Sequence, residues 1–128
     1  MEIKRLNHVA IATARFEETI QFYRNVLGFT WSGPPPEGGQ RTVFLYGQEG
    51  VCFEIVELRP GEENACVFAG KNHIAFDVDD VKSVREELAE KGVPLLCEME
   101  DLPAFHTRVI KIKDPNHIVI ALRQNINI

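Results

Sequence analysis

Asn7-His8-Val9-Ala10-Ile11 and Asn72-His73-Ile74-Ala75-Phe76 are the same short strand written twice in a chain of 128 residues. Each copy leads into a helix-like stretch that stops at a glycine, Gly28 and Gly92. Each half then closes on an apolar strand, Val51-Cys52-Phe53-Glu54-Ile55-Val56 in the first and Ile118-Val119-Ile120-Ala121-Leu122 in the second. The chain is therefore two tandem copies of one unit, and one histidine per copy points to a site built between the halves.

Working outward, residues 5–12 read as a strand with His8, Ala10 and Ala12 on one face and Val9 and Ile11 on the other. A helix is predicted over 15–27, because Phe16, Ile20, Tyr23 and Leu27 form one apolar stripe. Gly28 is placed to end it in the left-handed conformation. After a short strand at 29–31, the proline- and glycine-rich stretch to Gly39 is a loop, and 41–46 and 51–57 form a hairpin across Gly47-Gln48-Glu49-Gly50. The second half repeats the order: strand 72–78, an Asp79/Asp80 cap, helix 81–91 with Val81, Val84 and Leu88 inward, then strands 93–97, 107–113 and 117–123. The expected organisation is one α+β domain over 1–128, with a βαβββ module at about 4–58, a linker at 59–70 and a second module at about 71–124. One such module has a single helix on an open four-stranded sheet, so its uncovered face needs a partner, either the other half or a second subunit.

The formal net charge of −5 and the lack of a basic run argue against a general nucleic-acid binder. No stretch approaches the ~20 apolar residues of a membrane helix, and Met1-Glu2-Ile3-Lys4-Arg5 runs into a strand without a signal-peptide core. Cys52, Cys66 and Cys97 have no metal-type spacing and leave one thiol unpaired in any disulfide scheme, so a reduced, cytoplasmic setting is expected.

The bulkier face of each strand should pack on the helix. That assigns Val9, Ile11, Phe53 and Ile55 to the helix side and leaves His8, Cys52, Glu54 and Val56 on the other face. His73 follows by the repeat. A carboxylate in an apolar strand is costly without a partner, and a metal ion held by His8, Glu54 and His73 would remove that cost. The plain alternative is that each histidine is an ordinary hydrogen-bonded residue and Glu54 an edge or ion-paired carboxylate. His106, Arg108 and Arg41, the repeat counterpart of Arg108, are candidates for binding a carboxylate or phosphate. Against this, Ile110 and Ile112 share Arg108's parity and would draw it to the helix side.

These residues resemble the vicinal oxygen chelate superfamily, which includes glyoxalase I, methylmalonyl-CoA epimerase, bleomycin- and fosfomycin-resistance proteins and extradiol dioxygenases. The resemblance is carried by Leu6–Ile11, by Phe22-Tyr23-Arg24-Asn25-Val26-Leu27-Gly28-Phe29, by Phe53–Glu57, by Asn72–Asp80 and by Asp114-Pro115-Asn116. It implies paired βαβββ modules whose sheets curve around a cavity holding one divalent metal (Zn, Ni, Mn, Co or Fe). The implied ligands are His8, Glu54 and His73, with Glu54 also catalytic, and the expected assembly is a homodimer acting on a small molecule. The family's fourth ligand, a glutamate before the final leucine, is Ala121 here. A conventional glyoxalase I is therefore not expected. The resemblance implies a glyoxalase-like lyase or isomerase with the metal as Lewis acid. A two-histidine, one-carboxylate dioxygenase or thiol transferase stands as an alternative, and so does a metal-free small-molecule binding protein.

Overall fold

In the computed structural model, residues 1–35, 38–62 and 73–127 are described. The chain divides into two compact units, Met1–Ala65 and Cys66–Ile128. Most of the expected linker at 59–70 lies outside the described residues, as do Asn72 and Cys66.

Unit one contains strand β1 (Val9–Thr13), helix α1 (Phe16–Gln21), β2 (Thr30–Trp31), β3 (Thr42–Tyr46) and β4 (Cys52–Glu57). They form a four-stranded sheet in the order β1-β4-β3-β2, with β1 and β4 parallel and the other pairs antiparallel. Unit two repeats this with β5 (Ile74–Asp77), α2 (Val81–Glu90), β6 (Glu100–Leu102), β7 (Thr107–Lys113) and β8 (Val119–Asn125), in the order β5-β8-β7-β6. The α+β class and the double βαβββ arrangement follow the sequence reading.

Alternation within the strands decides what each sheet buries. In unit one Ile11, Val43, Leu45, Phe53 and Ile55 are buried together with Phe16, Ile20 and Tyr23 of the helical segment. In unit two Ile110, Ile112, Ile120 and Leu122 are buried with Val81 and Leu88 of α2. The alternate residues of β4, which are Cys52, Glu54 and Val56, are only half-buried. The face opposite the helix is thus the one that presents chemistry.

Four local readings are corrected. First, β1 begins at Val9 rather than residue 5, because β4 supplies partners only from Cys52 and the first registered pair is Val9 with Phe53. Second, the first helix is not uniform: α1 passes into a wide π turn over Phe22–Val26, closed by the Leu27 amide on the Phe22 carbonyl at 3.4 Å. Such turns insert one residue into the helical repeat, and the Phe29 amide then returns to the Tyr23 carbonyl at 2.9 Å. Third, Val93–Cys97 is not a strand. Pro94 has no N–H to offer, and within 93–97 only the Leu96 amide reaches β7, at the Lys111 carbonyl, 2.8 Å. The strand is instead Glu100–Leu102, where Asp101 stands opposite Arg108 and bonds to it. Fourth, β8 starts at Val119, because Asp114 holds the preceding turn: its Oδ1 accepts from the amides of Asn116 and Ile118, and His117 sits at φ 63°.

Gly28 ends the first helical segment at φ 75°, and a Cβ there would meet nothing within 4 Å. The only cost of a side chain is backbone strain. Gly28→Ala is expected to lower unfolding free energy by about 1–2 kcal/mol in a denaturant titration. A loss well above that would mean a steric clash that the structure does not contain.

Candidate functional site

His8 lies immediately before β1, and its ring meets Phe44 edge-on with centroids 5.7 Å apart. Phe44 is the registered partner of Glu54 across β3 and β4, and Ala10 is its partner across β1 and β4. His8 is two residues ahead of Ala10 and so shares its parity. The row Phe44-Glu54-Ala10 and the imidazole therefore occupy one face, opposite the helix. His8 Nδ1 lies 2.7 Å from Asn7 Oδ1. With Nδ1 as donor in that contact, Nε2 becomes the acceptor nitrogen, as a metal-binding imidazole requires. Asn7 was part of the repeated motif, but its role as an orienting group shows only in the geometry.

Glu54 is half-buried and makes no hydrogen bond or ion pair among the described residues. Its charge adds to burial in pushing the Cys52 thiol above its ordinary value, burial being the larger cause. Cys52 therefore stays protonated at neutral pH and lines the face; it is not a nucleophile there.

In unit two the registered row is Lys111-Ala121-Ala75, the counterpart of Phe44-Glu54-Ala10. The strand pairing confirms that Ala121 stands where Glu54 stands in unit one. His73 precedes β5 by one residue, shares the parity of Ala75 and is exposed. The donors of unit one thus stop at one imidazole and one carboxylate, and among the described residues no three His, Cys, Asp or Glu side chains form a group able to hold a metal. Two imidazoles and a carboxylate are, as a donor set, chemically suited to a divalent transition metal.

Arg41 and Arg108 fall on the helix-side parity of their strands, and both are engaged. Arg41 donates to both oxygens of Glu57 and, at 2.6 Å, to Glu17 Oε1, with its guanidinium 4.6 Å from the Phe16 ring centroid. Arg108 forks onto Asp101 at 2.7 and 3.1 Å. Neither shares the face of Glu54 or Ala121, so the sequence expectation of an anion held by these arginines finds no support in their geometry. His106 is exposed, adopts a left-handed conformation at φ 49° after the short turn Pro103–Phe105, and accepts the Ile126 amide through its carbonyl. It acts there as a turn residue leading into β7.

The Arg41 pairs carry a pH consequence. The Arg41 guanidinium holds the Glu57 and Glu17 carboxyls below their ordinary range. A depressed carboxyl pKa contributes stability that is present above the unfolded-state value and is lost as pH falls through the folded-state value. Arg41→Met is expected to reduce the denaturation midpoint at neutral pH, and the difference from the parent should vanish on acidification below the carboxylate range. A difference independent of pH would rule out the ion pair as its source.

The chain matches the Glyoxalase/Bleomycin resistance protein/Dioxygenase superfamily over residues 5–122 and belongs to that family. It is 31% identical to the ethylmalonyl-CoA/methylmalonyl-CoA epimerase of Cereibacter sphaeroides, an alignment covering 95% of this chain and 98% of that protein. It is also 31% identical to the mitochondrial methylmalonyl-CoA epimerase of Homo sapiens, over 94% of this chain and 73% of that one. A crystal structure of a glyoxylase/bleomycin resistance protein/dioxygenase domain from Frankia sp. EAN1pec superposes with a TM-score of 0.78 at 15% identity, covering 97% of this chain and 93% of that one, which shows the shared fold. Among the described residues no helix is long and apolar enough to cross a membrane.

Proposed function

We propose that the chain is a metal-dependent enzyme of the glyoxalase-like class that moves a proton on the carbon beside a carbonyl of a small acyl substrate. The observation that carries this reading is the shared face of His8 and Glu54, with Asn7 orienting the imidazole. His8, Glu54 and His73 would hold one divalent ion. When bound, it would supply Lewis-acid stabilisation of the negative charge that develops on the carbonyl oxygen. Glu54 is the carboxylate placed to take part in proton transfer. The relatives named as epimerases point to acyl thioesters of the malonyl type as substrates to try first.

Ala121 limits how the reaction can run. An epimerase removes a proton from one side of a carbon and returns one to the other, which suits two carboxylates. With an alanine at the second position, the simplest supported step is enolisation with solvent exchange of the proton.

The test is metal content by elemental mass spectrometry on untagged protein, as purified and after reloading with zinc, nickel, manganese, cobalt or ferrous iron. It is paired with deuterium exchange into a malonyl-type thioester. Near-stoichiometric metal together with exchange is expected. Protein that takes up none of these ions would sink the enzyme reading and leave the small-molecule binder, for which half-buried Phe44 and exposed Tyr46 offer an aromatic surface. Asn7→Ala, which removes the orienting contact, is expected to weaken metal affinity by about 10–100-fold in a chelator competition titration.

A further inference from the structure

The two units place different charges on the face opposite the helix. In unit one the face opposite the helix carries the registered rows Phe44-Glu54-Ala10 and Thr42-Val56-Ala12. In unit two the same rows read Lys111-Ala121-Ala75 and Val109-Arg123-Asp77. Phe44 is exchanged for Lys111, Glu54 for Ala121 and Val56 for Arg123. The unit-one rows carry one carboxylate, Glu54, and no cation; the unit-two rows carry two cations, Lys111 and Arg123, and one exposed carboxylate, Asp77.

Lys111 stands directly across from Ala121 and Arg123 two residues further along β8, so the two are diagonal neighbours across β7 and β8. Diagonal cross-strand positions lie about 7–8 Å apart, within reach of long side chains. Lys111 is half-buried and makes no ion pair among the described residues. Arg123 donates through Nη2 to Thr107 Oγ1 at 2.8 Å and to Asn125 Oδ1 at 3.3 Å. Its Nε is buried without a hydrogen bond and forms a long ion pair, 3.5 Å, with Oδ1 of exposed Asp77. Lys111 is a partly desolvated cation without a carboxylate partner among the described residues, and a buried Arg123 N–H short of a hydrogen bond costs free energy. A bound anion would relieve both. A glutamate at 121 would neutralise the pair from within.

We propose that Lys111 and Arg123 form an oxyanion subsite on the β7–β8 face, which takes a carboxylate or phosphate group of the substrate, and that Ala121 is what keeps it open. This deepens the reading of a small-acyl enzyme above and assigns the second sheet to substrate recognition. Lys111 is the specificity-determining residue, since Arg123 is also tied to the strand ends.

The experiment is a calorimetric titration at low ionic strength with malonate and, separately, inorganic phosphate. Both go into the protein as purified and into Lys111→Met, Lys111→Arg, Ala121→Glu and His8→Ala variants, with metal content measured on each sample. Lys111→Met and Ala121→Glu are expected to weaken binding at least about tenfold, as loss of a charged hydrogen bond does, while Lys111→Arg retains it and confirms folding. His8→Ala should keep the anion site even where it loses metal. Preference for malonate assigns the subsite to a carboxylate, and preference for phosphate to a phosphoryl group. Binding that is lost in His8→Ala but untouched in Lys111→Met would place the anion on a metal and overturn the subsite, leaving the metal reading intact. Protein that takes up no metal on reloading and still binds malonate through Lys111 would do the reverse. No binding of either probe to the parent protein overturns the proposal.

Discussion

Glu54→Ala is expected to lower divalent-metal affinity by more than about 100-fold while leaving the melting temperature of metal-free protein unchanged or higher. The first half rests on donor chemistry. Removing a group that merely orients a ligand costs about 10–100-fold, so removing a charged ligand from a set of three must cost more. The second half rests on what surrounds the carboxylate. Glu54 is half-buried between Phe44 and Ala10 and makes no hydrogen bond or ion pair among the described residues. A carboxylate held that way is a net cost to the metal-free fold. Its side chain lies on the face away from the helix, so truncation leaves the core of Phe53 and Ile55 untouched. Opposite signs for affinity and stability distinguish a ligand from a structural carboxylate. Competition titration against a chromophoric chelator, with thermal melts in chelator-treated buffer, measures both. Unaltered metal affinity with a lowered melting temperature would make Glu54 a structural residue and remove the ground for a metal centre.

Much of this site was legible in the sequence for a simple reason. A strand has period two, so a run such as Cys52–Val56 declares its faces once the apolar one is known. The duplication supplies a second, independent copy of the same alternation, and it makes Ala121 the repeat counterpart of Glu54. Of the helix stripe Phe16, Ile20, Tyr23 and Leu27, the first three are buried and Leu27 is only half-buried, because the π turn over Phe22–Val26 shifts the repeat before it. Other features depend on pairing partners, which a single strand does not reveal. Val93–Cys97 is more apolar than Glu100–Leu102, yet the second became the strand because the Asp101–Arg108 pair crosses it to β7. Arg41 and Arg108 drew notice as charges at equivalent positions, but their parity placed them on the helix side, where carboxylates hold them. Lys111 and Arg123 share Ala121's face by the same parity rule, so the sequence carries that signal too, in the residues beside the missing ligand.

Phe53→Ala is expected to destabilise the protein by about 3–5 kcal/mol, a large fraction of an ordinary domain's stability. Phe53 is buried and stacks on Phe29 with centroids 5.6 Å apart and planes within 11°, and Tyr23 meets both rings at 5.2 and 5.8 Å. Such pairs add to the burial of their area. The cavity left by alanine would be slow to collapse. Phe29 is wedged against the hairpin, where a Cβ on Gly47 would come within 3.3 Å of its ring, and Tyr23 is fixed by the π turn. Little relaxation means the upper part of the range for a large-to-small change. The register counterpart in unit two, Ile120, is surrounded by the aliphatic side chains Ile110, Ile112 and Leu122, and Ile120→Ala should cost less, about 2–4 kcal/mol. Denaturant titration of both variants, with Phe53→Leu as a milder step, gives the comparison. A Phe53→Ala loss below about 1 kcal/mol would show that the aromatic cluster does not hold the first helix to its sheet. Because Phe53 and Glu54 are consecutive on β4 and point to opposite faces, the two alanine variants form a matched pair. One should lose stability and, where it folds, keep metal affinity; the other should lose metal and keep stability. That separation is what a strand with a core on one side and a reaction site on the other must give.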